Sequence, residues 1–286
     1  MLLCWRLKRV HALMVLNYFR RARAWLGGGG KGDNRAAAVP AGRRVYAVGD
    51  IHGRADLLDD LMRQIDADLA GGDGVTIQPL LIFLGDYVDR GRDSRGVIER
   101  LLRLAEGWPD TGFLRGNHEQ AMLDFLDGAE AGRQWLRFGG RATLASYGVD
   151  ADFNADDAAA IAYARQMLDQ ALPAAHRRFL HGLGLSVTVG DYFFAHAGIR
   201  PGIALAAQAA DDLIWIREPF LSSSRDHGKV VVHGHSIHYQ PEQRGNRIGI
   251  DTGAFATGRL TCLVLQESQQ RFLVTNGPGE PRHFRH

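Results

Sequence analysis

The run Leu80-Leu81-Ile82-Phe83-Leu84 stops abruptly at Gly85-Asp86-Tyr87-Val88-Asp89-Arg90-Gly91. An apolar run of that length, closed by glycine and acidic residues, predicts a buried strand that delivers its last residues into a loop at a sheet edge. Binding and catalytic residues collect at such edges. Alone the loop is weak, because Asp, Arg and Gly are ordinary turn residues. Four further stretches repeat the arrangement. Gly49-Asp50-Ile51-His52-Gly53 follows Val45 to Val48, and Arg115-Gly116-Asn117-His118-Glu119 follows Phe113-Leu114. His196-Ala197-Gly198 follows Tyr192-Phe193-Phe194-Ala195, and His233-Gly234-His235 follows Val230-Val231-Val232. Brought to one edge, these residues form a cluster of Asp, Asn and His almost without thiolate, a donor set suited to Mn, Fe or Zn. Asp50 and His52 are two apart, so at an extended strand end they project to the same side and can hold one ion.

The rest of the chain predicts an α/β fold. Helical spacing of Leu57, Leu58, Leu61, Ile65 and Leu69 marks a helix over Arg54 to Ala70, and another runs from about Ser94 to Ala105. A third starts near His118 after the short strand Phe113-Leu114. This β-α-β-α order gives a sheet covered by helices. After Gly182 the pattern is strand after strand: Leu185 to Val189, Tyr192 to Ala195, Lys229 to Val232, Arg247 to Ile250, Leu260 to Leu265 and Arg271 to Thr275. We read these later strands as a second sheet packed on the first.

The set GDxHG, GDxxDRG, GNHE, HAG and HGH, in this order, resembles the phosphoprotein phosphatase branch of the calcineurin-like metallophosphoesterases, and most of all its small bacterial and phage Ser/Thr protein phosphatases. The likeness covers roughly Arg43 to Val274. It implies a four-layer α-β-β-α sandwich of two mixed sheets. It also implies a dinuclear centre of two divalent ions, Mn first, with Fe or Zn as alternatives. Asp50, His52 and Asp86 would bind one ion, and Asp86, Asn117, His196 and His235 the other. Four positive charges against two aspartates would depress the pKa of a bridging water towards about 7, by analogy with one-zinc sites. The hydroxide would then attack phosphorus directly, with no phosphoenzyme. By the same resemblance His118 is the general acid and Asp89 the carboxylate that orients it. Arg90 and, on a looser motif, Arg217 grip the phosphate together with Asn117. His233 and Asp251 are placed around the ligands rather than among them. His181, His227 and His238 have no motif support.

Composition bounds the partners. The 286 residues are enough for one large domain, and 45 % apolar content can supply its core. The net charge of +2 hides an asymmetry: residues 1 to 30 hold six Lys or Arg and no Asp or Glu, which leaves 28 basic against 32 acidic residues elsewhere. The body is therefore mildly acidic, with no basic signal for nucleic acid. Cys4 and Cys262 make neither a disulfide framework nor a zinc spacing, which suits a reducing, cytoplasmic setting.

We divide the chain into a basic amphipathic segment (1–26), a Gly-rich linker (27–42) and a metallophosphoesterase domain (43–286) with a helical insertion (128–175). In the first segment Leu3, Leu7, Val10, Met14, Tyr18 and Trp25 share one arc, with Arg6, Arg9, Arg20 and Arg23 opposite. That pattern resembles an interfacial helix on anionic lipid, a peripheral contact at the inner membrane surface. A basic extension, or a helix packed on its own domain, is the alternative. The longest uncharged stretch there, Val10 to Phe19, is half of the roughly 20 residues a span needs. In the insertion, Trp135-Leu136, Phe138-Gly139-Gly140 and Ser146-Tyr147-Gly148 are unusually aromatic and glycine-rich. Bacterial members of the resembled family carry a similar stretch over the metals, so it reads as a substrate-side cap, with ordinary helix packing as the alternative.

The leading expectation is a phosphomonoesterase for phosphoserine and phosphothreonine proteins. One rival is a dinucleoside polyphosphate hydrolase of the same fold. In that branch the first motif usually has Gln for His and the second lacks the Asp-Arg pair, whereas this chain has His52, Asp89 and Arg90. Another rival is a membrane-bound scaffold that recognises phosphate without turnover. If the N-terminal segment is the lipid anchor, the intact chain sediments with anionic vesicles and a chain lacking residues 1–26 does not; equal sedimentation refutes the anchor.

Overall fold

β1 (Arg43–Val48), β2 (Gln78–Phe83) and β3 (Thr111–Phe113) lie side by side in parallel. The structure, a computed structural model, describes residues 36–71, 77–108 and 110–277. The basic segment 1–26 and residues 27–35 of the linker lie outside the described residues. The last linker residues sit against the sheets: Val39 is buried and donates its N–H to Glu267 O at 2.9 Å, and Ala38 N–H reaches Asp191 Oδ2 at 3.0 Å.

A second sheet forms from β4 (Ser186–Val189), β5 (Tyr192–Ala195), β6 (Val230–His233), β7 (Glu242–Gln243) and β8 (Arg247–Gly249), in the order β4-β5-β6-β8-β7. Within it β5, β6 and β8 are parallel, with β4 and β7 antiparallel at the edges. β9 (Thr261–Gln266) and β10 (Gln269–Val274) do not join this sheet, contrary to the expectation for the later strands. β9 pairs antiparallel with β1, and β10 with β9, so the first sheet runs β10-β9-β1-β2-β3. The reason lies in β9 itself: Leu263 and Leu265 face one apolar cluster while Cys262 and Val264 face another. A strand apolar on both faces must lie inside a sheet covered on both sides.

Strand alternation sets the layers. Val45, Ala47, Ile82 and Leu84 of the first sheet meet Phe194, Val232, Ile248 and Ile250 of the second in one buried cluster between the sheets. Tyr46, Val48, Leu81 and Phe83 point the other way, onto helices Ala55–Ala70, Ser94–Gly107 and Asn117–Asp127 and the insertion. On the far side Phe193, Ala195 and Val231 pack on Leu213, Ile214 and Phe220 around helix Ala210–Trp215. The result is the expected four-layer sandwich of two mixed sheets. At one end the sheets are joined through a Leu114–Gly184 bridge, with Arg115 N–H on Gly184 O at 2.7 Å.

The outer edge of the second sheet depends on an ion pair. Arg247, 1 % exposed, pairs with Glu242 and donates to Leu221 O at 2.8 Å. Burial raises the Glu242 pKa, but Arg247 and Arg244 outweigh it and hold the carboxyl at about 2, against 4.5 when free. The unfolded chain therefore takes up a proton at Glu242 before the folded one does, and stability falls as pH drops from about 4.5 towards 2. Acid unfolding followed by circular dichroism is expected to be shallower over this window in Glu242→Gln, which is less stable than the wild type above it.

Candidate metal centre

Every parallel strand ends on the same side, and there the chain turns sharply. His52, Asp86, Asp89, Arg90 and His235 all adopt positive φ, between 46° and 72°. Such backbone costs about 1–3 kcal/mol per residue and persists only where the surroundings enforce it. At Asp86 the enforcement comes from Glu119. Its carboxylate, fully buried, accepts N–H bonds from Asp86 (2.8 Å), Tyr87 (2.7 Å), Val88 (3.1 Å) and Gly116 (2.9 Å). Two loops are thereby tied to one side chain. Burial and the neighbouring Asp86 carboxylate push the Glu119 pKa up to about 7. Two glycines make the approach of loops possible: a Cβ on Gly116 would strike the Asp86 carboxylate, and one on Gly234 the Asp50 carboxylate.

The two sheets bring Asp86 against imidazoles from both. His52 Nε2 is 3.4 Å from Asp86 Oδ2, and His196 Nε2 is 3.4 Å from Asp86 Oδ1. Asn117 Oδ1 lies 3.0 Å from His196 Nε2 and 2.8 Å from His235 Nδ1. Among the described residues, two buried triads hold ligand atoms within metal-binding reach, His52-Asp86-His118 and Asp86-His196-His235, and they share Asp86. Asp50 falls outside both triads. Its carboxylate accepts the His235 N–H at 3.0 Å and lies among the carboxylates of Asp251 and Asp86.

Lone pairs, not protons, face one another here. His52 commits Nδ1 to Val88 O at 2.9 Å, and His196 commits Nδ1 to Leu84 O at 3.0 Å, so each presents a bare Nε2. In His196 that bare nitrogen meets an amide oxygen and a carboxylate oxygen, both acceptors. His52 Nε2 and His235 Nε2 are buried without a hydrogen-bond partner. Burial lowers the pKa of all three imidazoles, that of His235 to about 2, which keeps them neutral and ligand-competent. Burial, with Asp251 and Asp86 adding to it, raises Asp50 well above the ordinary range, and burial pushes Asp251 up to about 6. Burial acts against the Asp86 carboxylate too, but His196, His118, His52 and His235 outweigh it and hold it well below that range. Crowded acceptors with orphaned nitrogens are the surroundings a divalent cation completes, so the residues fit the metals that the sequence implied.

His118 belongs to a different arrangement from the other imidazoles. Its Nδ1 is 2.6 Å from Asp89 Oδ2, and its Nε2 is 3.1 Å from Arg90 Nη2 and 3.9 Å from Asp86 Oδ2. A guanidinium beside Nε2 argues against that nitrogen as a metal ligand. Burial lowers the His118 pKa, yet Asp86 and the Asp89 bond more than offset it, so the net direction is upward. Arg90 lies over the Phe255 ring at 4.8 Å. Arg217 reaches the rim from the segment after helix Ala210–Trp215, with Nη2 3.5 Å from His235 O. Asp251 accepts the Gly253 N–H at 2.9 Å and touches Asp50. His233 is not with the ligands: it ends β6 on the outer face, against Phe220 (5.1 Å) and near Arg247. His181 is exposed, His227 meets Asn246 Nδ2 at 3.3 Å, and His238 pairs with Glu242 at 3.5 Å.

Sequence reasoning gave no role to Glu119, although it closes the GNHE stretch. Phe255 carried no signal at all. Trp135 and Thr143 stood in the expected cap, and both turn out to bond Asp89, at 3.0 and 2.6 Å.

With fold and site in view, the comparisons are specific about class. The sequence pattern of the calcineurin-like phosphoesterases matches residues 43–262, and the chain belongs to that family of hydrolases, which use a dinuclear metal site. Among its relatives, serine/threonine-protein phosphatase 2 of Salmonella typhimurium is 28 % identical over 238 residues, 78 % of this chain and 94 % of that protein. Serine/threonine-protein phosphatase 1 of the same organism is 39 % identical over 98 residues, 34 % of this chain and only 39 % of that protein. A crystal structure provisionally assigned as a diadenosine tetraphosphatase superposes with a TM-score of 0.58 at 22 % identity, over 84 % of this chain and 99 % of that one. Among the described residues no helix is long and apolar enough to cross a membrane.

A cation that binds the folded site alone stabilises by about 2.7 kcal/mol at 100-fold excess over Kd. Addition of Mn to chelator-treated protein is expected to raise the Tm of the wild type and to leave that of Asp86→Asn unchanged. An equal rise in both would remove Asp86 from the centre.

Proposed function

We propose that the protein hydrolyses phosphoserine and phosphothreonine monoesters of proteins with two divalent ions, Mn foremost, in the cytoplasm. One observation carries the reading: His118, braced by Asp89 at 2.6 Å, stands beside Arg90 and Asp86 at the edge of the candidate cation site. Hydrolysis joins a water oxygen to phosphorus and breaks the bond to the alcohol oxygen, which departs with the electron pair and needs a proton. A serine or threonine alkoxide is a poor leaving group, so a placed acid matters most for exactly this class of ester. The nucleotide released from a dinucleoside polyphosphate leaves readily and asks little of an acid.

The residues divide the task. Asp50, His52 and Asp86 would hold one ion, and Asp86, Asn117, His196 and His235 the other. When bound, the ions supply an activated water and neutralise phosphate charge. Arg90, its guanidinium backed by Phe255, would grip phosphate oxygens, with Asn117 and Arg217 as further donors. His118 Nε2 would deliver the proton, and Asp89 keeps the ring in register.

The test is a panel of phosphoserine, phosphothreonine and phosphotyrosine peptides and diadenosine tetraphosphate at fixed Mn. We expect the first two to be preferred, and His118→Asn to lower kcat on phosphoserine peptide by about 10²–10⁴-fold. A strong preference for the dinucleotide would reverse the reading, and unchanged turnover in His118→Asn and Asp50→Asn would remove the mechanism.

A further inference from the structure

At the Asp89 carboxylate the insertion meets the site through side chains. That carboxylate is fully buried and each oxygen is occupied. Oδ2 faces His118 Nδ1 and accepts the Trp135 indole N–H at 3.0 Å, while Oδ1 accepts the Thr143 hydroxyl at 2.6 Å. Thr143 Oγ1 also accepts the Asp89 N–H at 2.9 Å and sits 3.0 Å from Ser94 Oγ. Thr143 thus holds the carboxylate, and shares with Ser94 Oγ (3.0 Å) the amide, of a residue whose φ is 72°, a conformation a non-glycine side chain resists. The indole has no freedom to turn away, being 1 % exposed with its ring 4.7 Å from that of Phe125. The next residue is tied as well, by Arg90 N–H on Gly139 O at 3.2 Å.

We propose that Trp135 and Thr143 are positioning residues that act through Asp89 to aim His118 at the departing oxygen. The proposal rests on the phosphomonoesterase reading. A carboxylate that accepts from an indole and a hydroxyl has only acceptor positions left for His118, so Nδ1 carries the proton there and Nε2 is the exchangeable position. Without the two anchors Asp89 can rotate, and the imidazole loses its fixed tautomer and direction. The insertion is then part of the acid machinery and not merely a cover over it.

The test uses leaving groups. An alkyl phosphate needs a proton on its departing oxygen, whereas 2,4-dinitrophenyl phosphate releases a stable anion without one. For Thr143→Val and Trp135→Phe we expect kcat on phosphoserine peptide to fall about 10–100-fold relative to kcat on the dinitrophenyl ester, a part of the roughly 10²–10⁴-fold that a general acid supplies. Asp89→Asn should repeat the pattern, and Thr143→Ser should restore the wild-type ratio. With diamagnetic Zn in place of Mn, the downfield imidazole N–H resonance, assigned by its loss in His118→Asn, should shift in Thr143→Val and Trp135→Phe but not in Thr143→Ser. Parallel loss on both esters, an unchanged ratio or an unmoved resonance would overturn the proposal. A wild type that turned over neither ester would instead bring down the phosphomonoesterase reading, and the resonance arm, which needs no turnover, tells the two failures apart.

Discussion

Glu119 collects four backbone N–H groups from two loops, and the candidate centre depends on that one carboxylate. Amide donors of Asp86, Tyr87 and Val88 would otherwise be buried without partners, a cost of roughly 1–3 kcal/mol each. Because Gly116 shares the same acceptor, the end of β2 and the start of helix Asn117–Asp127 cannot move independently. Asp86, Asn117 and His118 are thereby fixed relative to one another before any ligand arrives. The positive φ at Asp86 is maintained by these bonds.

The second sheet completes what the first begins. Asp86 follows a strand of the first sheet and His196 and His235 follow strands of the second, and they meet because Ile82, Leu84, Phe194 and Val232 share one buried cluster between the sheets. The meeting is electrostatically unfavourable in isolation. Asp50, Asp86 and Asp251 are buried together, with imidazole lone pairs turned inward. Apolar packing between the sheets holds these groups in place, and a divalent charge would relieve their mutual repulsion. Stability and reactivity therefore draw on the same juxtaposition.

Around that centre the histidines separate by the bonds of their second nitrogen. His52 and His196 give Nδ1 to backbone carbonyls and keep a bare Nε2, as a ligand requires. His118 gives Nδ1 to the Asp89 carboxylate, and against the lowering effect of burial Asp86 and that bond together raise its pKa. Two chemical roles thus arise from one residue type within a few ångströms, set by whether the partner is a neutral carbonyl or a charged Asp.

The sequence by itself determined the strand ends, the helices after them and the polar residues that close the strands, because buried strands are written as apolar runs and their closing residues stand out against them. It also determined that Asp50, His52, Asp86, Asn117, His118, His196 and His235 lie at such ends. Only the tertiary structure decided that β9 and β10 return to β1, since an apolar strand names no partner. Only it decided that His233 faces away from its neighbour His235, whose left-handed backbone breaks the alternation. The roles of Glu119, Trp135, Thr143 and Phe255 were likewise invisible: each is defined by a contact with a residue distant in the chain, and linear spacing carries no record of such contacts.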